Sequence, residues 1–509
     1  MKKQALISVF DKTGVEEFAK GLAALGYEIL STGGTFKALK DANIPVTEVS
    51  DITGFPEILD GRVKTLTPQV HGGILARRDK PEDMAKIQEL NIYPIDVVVV
   101  NLYPFFEKVA DPSLSFAEKV EFIDIGGPTM LRSAAKNFAD VVVVSDPADY
   151  SAVLEGLSGE GVSMDMRQRL AAKVFALTSA YDASVRAFLS DEIFPEYYTV
   201  SYKKAYDLRY GENPHQQAAY YIDTVDGGAL GTFEQLGGKE LSYNNLKDLE
   251  VAWQMVSEFD EEPFVVALKH NTPCGAALGK NVSEAFDKAY RCDPTSIFGG
   301  IIGVNGTVDK QTAEKMSEIF LEIVAALDFT EEALQVLSKK KNLRILKMKA
   351  KSKPSVMFSK VDGGLLVQTD DDQLVDGLEI VTKVNLLEER KEDILFGMKM
   401  VKYVKSNAIV IVEDGATLGL GGGQVNRIWP TIDALHRADE VMGKTGRLPG
   451  ATMVSDAFFP FSDCVEEANK YGIKMVVHPG GSKNDQLSIE ECDKDGISMA
   501  ITGIRHFRH

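Results

Sequence analysis

Four consecutive valines at 97–100, and four more at 141–144, constrain the fold of this chain more than any other feature. β-Branched residues at this density suit a strand covered on both faces, which is the position of a strand in a parallel sheet. The neighbouring segments agree. Residues 5–10 and 27–30 read as strands, Thr13 and Glu16 have capping-box spacing, and Val15, Phe18, Ala19 and Leu22 recur on one helical face. A parallel α/β domain is predicted, with ligands beyond the carboxyl ends of its strands.

Two glycine turns fall where such ligands bind. Ser31-Thr32-Gly33-Gly34-Thr35 follows a strand and opens a helical pattern, and Gly126-Gly127-Pro128 precedes the helical segment 129–136. Glycines let the backbone approach an oxyanion closely, and a helix N-terminus favours negative charge. A simple tight turn would have the same sequence, so both readings stand. Chemistry-bearing residues gather nearby. Arg62 and Lys64 alternate and point the same way if extended, Asp124 precedes the second turn and Lys136 follows it on the helix. Tyr103 lies in Asn101-Leu102-Tyr103-Pro104-Phe105, directly after a valine strand. A lysine beside a carboxylate at a phosphate turn can move a proton or polarise a carbonyl. Taken singly, each is also compatible with a surface ion pair or a core tyrosine.

A chain of 509 residues exceeds one ordinary core. Phe194-Pro195 marks a break, so domains at 1–199 and 200–509 are expected. In the second, strand patterns at 264–268, 300–304 and 408–412 alternate with helical ones such as 251–259. A softer boundary is expected near 355–375, where eight basic residues between Lys339 and Lys353 give way to Asp370-Asp371-Asp372. The net charge of −19 argues against nucleic-acid or membrane partners, so the basic run reads as solvated surface. The cysteines, Cys274, Cys292, Cys464 and Cys492, form no Cys-x-x-Cys pair and suit a reducing compartment. The apolar start after Lys2-Lys3 runs straight into Asp11-Lys12, unlike a signal peptide, and no stretch reaches membrane-span length. A cytoplasmic location is expected.

Three familiar signatures fail. Gly443-Lys444-Thr445 ends like a P-loop, but Ala438 stands where its first glycine belongs. Gly419, Gly421 and Gly423 miss the dinucleotide fingerprint at Gln424. His270 and Pro273-Cys274 start a zinc-deaminase set that lacks its glutamate and second cysteine, so no metal-activated water is expected. What remains there is Lys269-His270 after a buried strand pattern: a cation for oxyanion charge beside an imidazole suited to proton transfer, or else a packed histidine. The tail Arg505-His506-Phe507-Arg508-His509 is basic, and tails of this kind are usually frayed.

In order along the chain stand the words STGGT, DGRVKTL, NLYPF, IDIGGPTMLRSAAKN, LRYGENPHQ, LSYNN, KHNTPCG, DPTSIFGG, VKSNAIV, SDAFFPF, HPGGS and TGIRHFRH. Together they resemble the bifunctional purine-biosynthesis enzymes that join 5-aminoimidazole-4-carboxamide ribonucleotide (AICAR) transformylase to inosine monophosphate (IMP) cyclohydrolase. The resemblance runs from Ala5 to the last residue. It implies a methylglyoxal-synthase-like N-terminal domain, followed by two related cytidine-deaminase-like subdomains without zinc. It implies formyl transfer from 10-formyltetrahydrofolate to AICAR, then dehydrative closure of the product, FAICAR, to IMP. It also implies a homodimer with shared transformylase sites.

For the cyclohydrolase the matching words give Lys64, Tyr103, Asp124 and Lys136 as the catalytic set, with Lys12, Ser31, Thr32, Gly33, Arg62 and Thr65 around the nucleotide. For the transformylase they give Lys269 and His270 at the reacting groups. Arg209, Tyr210, Asn407, Arg427, Asp456, Phe507 and His509 fall near the nucleotide or folate, and Ser296, Ile297, Phe298, Gly299 and Gly300 on the folate side. Phe10, Thr67 and Asn426 depart from the family's usual serine, histidine and serine. The competing readings are a transformylase with an impaired cyclohydrolase domain and a nucleotide-binding regulatory protein.

Overall fold

Val97–Val100 and Val142–Val144 are strands in which every residue is buried. The computed structural model describes residues 2–103, 105–353 and 355–509. Met1, Pro104 of the 101–105 word and Pro354 lie outside the described residues. The chain divides into two units, one running to Lys203 with Asp223–Asp226, the other holding the remainder.

In the first unit β1 (Lys3–Ser8), β2 (Tyr27–Ser31), β3 (Val46–Glu48), β4 (Val97–Val100) and β5 (Val142–Val144) form one parallel sheet, ordered β3-β2-β1-β4-β5. The apolar start of the chain is thus the central strand. Helix Val15–Ala24 buries the predicted face, Val15, Phe18, Ala19 and Leu22. Its predicted capping box is not formed. Gly14, at φ 68°, precedes the helix, while Thr13 Oγ1 donates to Asp11 Oδ1 at 2.7 Å, a local turn that competes with capping. Strand order reverses between β1 and β4, so the chain leaves their carboxyl ends toward opposite sides and a crevice opens between them.

Most of a two-stranded ribbon, β6 (Tyr202–Leu208) and β7 (Ala218–Asp223), belongs to the second unit, with Tyr202, Lys203 and Asp223 counted in the first. The main sheet of the second unit contains β8 (Glu234–Gly237), β9 (Phe264–Lys269), β10 (Thr272–Leu278), β11 (Ile301–Val308), β12 (Ile323–Phe329) and β13 (Arg344–Lys347). A second ribbon, β14 (Val356–Val361) with β15 (Gly364–Thr369), is mostly exposed and occupies the stretch expected as a soft boundary. The sheet then continues with β16 (Glu379–Ile380), β17 (Ile409–Glu413), β18 (Ala416–Gly421), β19 (Thr452–Ser455), β20 (Met475–His478) and β21 (Ser498–Ile501). The full order is β16-β21-β20-β19-β17-β18-β10-β9-β11-β12-β13-β8.

This sheet is a duplication. Each half has a hairpin, β9–β10 or β17–β18, followed by three mutually parallel strands, the first antiparallel to the hairpin's first strand. The halves join where β10 meets β18 antiparallel, at Ala277 and Ala416. Equivalent glycines let a helix lie against each hairpin. A Cβ on Gly275 would sit 2.1 Å from Ala289 O, and one on Gly419 2.1 Å from Ala434 O. The glycines at 419 and 421 therefore serve helix packing. Gly419→Ala is expected to destabilise the chain by about 3 kcal/mol, read as a lowered urea midpoint, because the helix Ile428–Val441 must move to admit the methyl.

Four of the eight basic residues of the run have acidic partners: Arg344 pairs with Glu322, Lys347 with Asp328, Lys349 with Glu234 and Lys351 with Asp260. Strand directions bring the end of β9, the starts of β10, β11 and β17, and the ends of β18 and β19 to one edge of the sheet.

Candidate active sites

A cavity of about 560 Å³ opens beyond the carboxyl ends of β1 and β4, where the strand order reverses. Lys12, Thr32, Arg62, Lys64, Thr65, Tyr103 and Asp124 line it, joined by Thr35, Asn101 and Phe10. Thr32 precedes the helix Gly33–Asp41, and Gly33 takes φ 49°. A Cβ on Gly33 would sit 3.4 Å from Lys64 Nζ, and one on Gly34 3.9 Å from Lys12 Nζ. Two ammonium groups thus flank the helix N-terminus, an arrangement that favours a phosphate. Ser31 lies behind the wall, donating to Ile7 O at 2.6 Å, while Thr35 bonds both the N–H and the carbonyl of Val9. Asn101 accepts from the N–H groups of Phe10 and Asp11 and fixes the loop after β1. Arg62 pairs with Glu121.

Asp124 is held from two sides. Its backbone N–H donates to Tyr181 Oη at 2.8 Å, and its Oδ1 accepts from Gly127 N–H at 2.9 Å. A Cβ on Gly127 would fall 2.4 Å from Asp124 Oδ2, so glycine is required at that point. Burial pushes the Asp124 carboxyl above its usual range, opposed by the Gly127 N–H and the Lys64 ammonium. Burial, then Asp124 and Glu57, push the Tyr103 phenol up. A carboxylate placed in this way is a proton acceptor of enhanced basicity. Lys136 closes the helix Gly126–Lys136 at its far end, is exposed, and does not line the cavity.

The raised value carries a stability consequence. The folded chain binds the Asp124 proton more tightly than the unfolded chain, so the stabilisation from the neutral form is lost as pH rises through the folded value. Asp124→Asn is therefore expected to raise the apparent melting temperature at neutral pH, by about 2 °C. The gain should vanish below the usual carboxylate range; calorimetry at both pH values checks this.

In the second unit Lys269 and His270 line a cavity of about 400 Å³ with Thr272, Cys274, Asp293, Ser296, Gly422 and Arg437. Lys269 ends β9, and His270 with Asn271 makes the two-residue turn into β10, at φ 55° and 58°. The Lys269 ammonium donates to Phe298 O at 2.7 Å, which leaves donors for another oxygen. Asp293 bonds Ser296 N–H at 2.8 Å and pairs with Arg437 at 3.1 Å, fixing the 296–300 loop. Ser296 faces the cavity, Ile297 is buried and Phe298 is exposed. Gly299 donates to Phe320 O, and Gly300 to Ile297 O.

The other residues expected near the nucleotide or folate do not line this cavity. Arg427 and Asp456 form a buried ion pair, and Arg427 also bonds Asn407 Oδ1 at 2.6 Å. This network closes on itself and does not reach the cavity wall. Arg209 lies over the Tyr210 ring, and neither residue lines the cavity. Phe507 and His509 line another cavity of about 460 Å³. The tail that reads as frayed is docked. His506 is buried, bonding Asp371 and Leu374 O, and Arg508 N–H donates to Ser406 Oγ.

Two departures from the usual pattern have local explanations. Thr67 caps the helix Pro68–Leu75, and Asn426 Oδ1 accepts from Trp429 N–H. Phe10 meets Tyr103 edge-on at 5.4 Å. Among the described residues no cluster of His, Cys, Asp or Glu could hold a metal ion, and no helix is long and apolar enough to cross a membrane.

Two cavities in separate units are each lined by titratable and cationic side chains. The pattern of the AICARFT/IMPCHase bienzyme family matches residues 134–437, and that of the MGS-like domain residues 14–129. The bifunctional purine biosynthesis protein PurH of Clostridium kluyveri (strain NBRC 12016) is 58% identical over 510 residues, covering 100% of both chains. PurH of Clostridium botulinum (strain Okra / Type B1) is 57% identical with the same coverage. The crystal structure of ForH matches 37% of this chain and 96% of that one at 42% identity, with a TM-score of 0.34. The chain belongs to the AICARFT/IMPCHase bienzyme family and is a bifunctional AICAR transformylase and IMP cyclohydrolase of purine biosynthesis.

Proposed function

We propose that the first unit closes the purine ring and that the Lys269–His270 hairpin of the second transfers the formyl group. The observation that carries this division is the separation of the two cavities, each supplied with acid–base groups from its own unit. In formyl transfer the 5-amino nitrogen of AICAR bonds the formyl carbon of 10-formyltetrahydrofolate, the bond from that carbon to N10 breaks, and N10 leaves with a proton. An aromatic amine conjugated to a carboxamide is a poor nucleophile. His270 takes its proton during attack, and Lys269 donates to the formyl oxygen.

FAICAR then closes when its carboxamide nitrogen bonds the formyl carbon and water departs. Asp124 accepts the carboxamide proton, Tyr103 and Lys64 donate to the formyl oxygen, and Lys12, Thr32, Gly33, Arg62 and Thr65 hold the ribonucleotide. Lys136 is assigned to this set by resemblance alone. Ser296 to Gly300 shape the folate side, and the chain works as a cytoplasmic homodimer. The test is direct: AICAR with 10-formyltetrahydrofolate should yield IMP, FAICAR alone should yield IMP without folate, and sedimentation should give a dimer. Failure of either conversion would refute the corresponding half.

A further inference from the structure

We propose that Asp248 is a positioning residue for formyl transfer, its carboxylate holding the hairpin turn that carries His270. The inference rests on the reading of His270 as a reacting group.

The turn needs an external hold. Lys269 and Thr272 pair across the hairpin, and His270 and Asn271 both take left-handed backbone conformations, as a two-residue primed turn requires. Asn and His enter that conformation more readily than most side chains, but two successive non-glycine residues there remain uncommon, and their N–H groups need partners. The ladder between β9 and β10 supplies no partner for the N–H groups at the tip. Asp248 supplies one: its Oδ1 accepts from Asn271 N–H at 2.7 Å, and the His270 N–H turns to the same carboxylate.

That carboxylate stands on a rigid element. The helix Tyr243–Ser257 starts at a capping box formed by Ser242 and Asn245, and it buries Leu246, Leu249 and Trp253 in the core. The imidazole-bearing turn is thereby tied to the body of the unit by a charged acceptor.

The duplicated half provides an independent observation. There the hairpin β17–β18 turns at Asp414 and Gly415, also with positive φ, and Gly415 N–H donates to Asp393 Oδ1 at 2.9 Å. Asp393 lies on the helix Leu387–Val401, which stands before β17 as the Asp248 helix stands before β9. Both halves thus use a helix carboxylate to hold a hairpin turn. Only in the first does the turn carry a group facing a cavity that holds a cation and an imidazole.

This yields an internal control. Full-length Asp248→Ala should lose about 10–100-fold in kcat for formyl transfer, because a small misplacement of a reacting group has effects of that order. Its KM for AICAR should change by less than about twofold, with ring closure unaltered. Asp248→Asn keeps an acceptor oxygen and should recover most of the rate. Asp248→Glu displaces the carboxylate and should lose about 10-fold, which keeps the test open if the alanine variant does not fold. Asp393→Ala breaks the equivalent bond and should lower the urea midpoint while kcat stays within about twofold of the parent. A normal kcat in Asp248→Glu or Asp248→Ala overturns the proposal, as does an equal loss of kcat in Asp248→Ala and Asp393→Ala. His270→Ala is measured alongside. If it is inactive while the Asp248 variants are normal, the clamp alone fails; if it is active, the reading of the site fails and the proposal falls with it.

Discussion

Replacing His270 by alanine is expected to slow formyl transfer by about 10²–10⁴, since the imidazole would no longer take the amine proton. Lys269→Ala should lose about 10²–10³, as for a deleted oxyanion donor. The Lys269 ammonium already has one fixed partner, Phe298 O, so its orientation does not depend on substrate. Both variants should close the ring of added FAICAR at the parent rate, because the residues around Asp124 lie in the other unit. The decisive measurement takes both reactions and AICAR affinity on the same preparation. Near-normal formyl transfer would remove either residue from its role, and an equal loss of both reactions would indicate misfolding.

Asp124→Asn should produce the opposite phenotype. Ring closure is expected to fall by about 10²–10⁴, while AICAR and 10-formyltetrahydrofolate still react, so FAICAR appears where the parent gives IMP. Asn retains an oxygen able to accept from Gly127 N–H, so the loss would report the missing basic group rather than a displaced loop. Lys64→Ala should reduce ring closure through weaker stabilisation of the formyl oxygen, with formyl transfer again unchanged. If Asp124→Asn converts FAICAR to IMP at the parent rate, the proton acceptor lies elsewhere in the crevice.

The first unit was legible in sequence because its signals are local. Valine runs mark strands buried on both faces, and the chemistry of a strand-end glycine turn follows from adjacent residues. Helix starts were less legible: Thr13 had the right spacing for a cap, yet Asp11 claims its hydroxyl. In the second unit the decisive relations are long-range. Arg427 and Asp456 are read as ligand contacts by resemblance; their pairing with each other in the core, Arg427 just before the helix Ile428–Val441 and Asp456 just after β19, is a relation that no local pattern carries. Asp248 carries no signal in Asn245-Leu246-Lys247-Asp248-Leu249, because its role depends on a turn that the sheet brings to it. The duplication, implied by the resemblance as two related subdomains, is not visible in the residues themselves. It is written in strand order and in isolated pairs such as Gly275 with Gly419, not in a shared word.

The seam between β10 and β18 also bears on how the chain is made. During synthesis from the N-terminus, the first half of the second unit emerges with β10 as an open edge, a row of backbone donors and acceptors able to pair with another chain. Closure must wait for β17 and β18, after the exposed ribbon has also been made. At translation speeds of about 5–20 residues per second the nascent chain carries this edge for seconds. The order of segments along the chain therefore sets an interval, between the emergence of β10 and the arrival of its partner, in which this edge is unpaired.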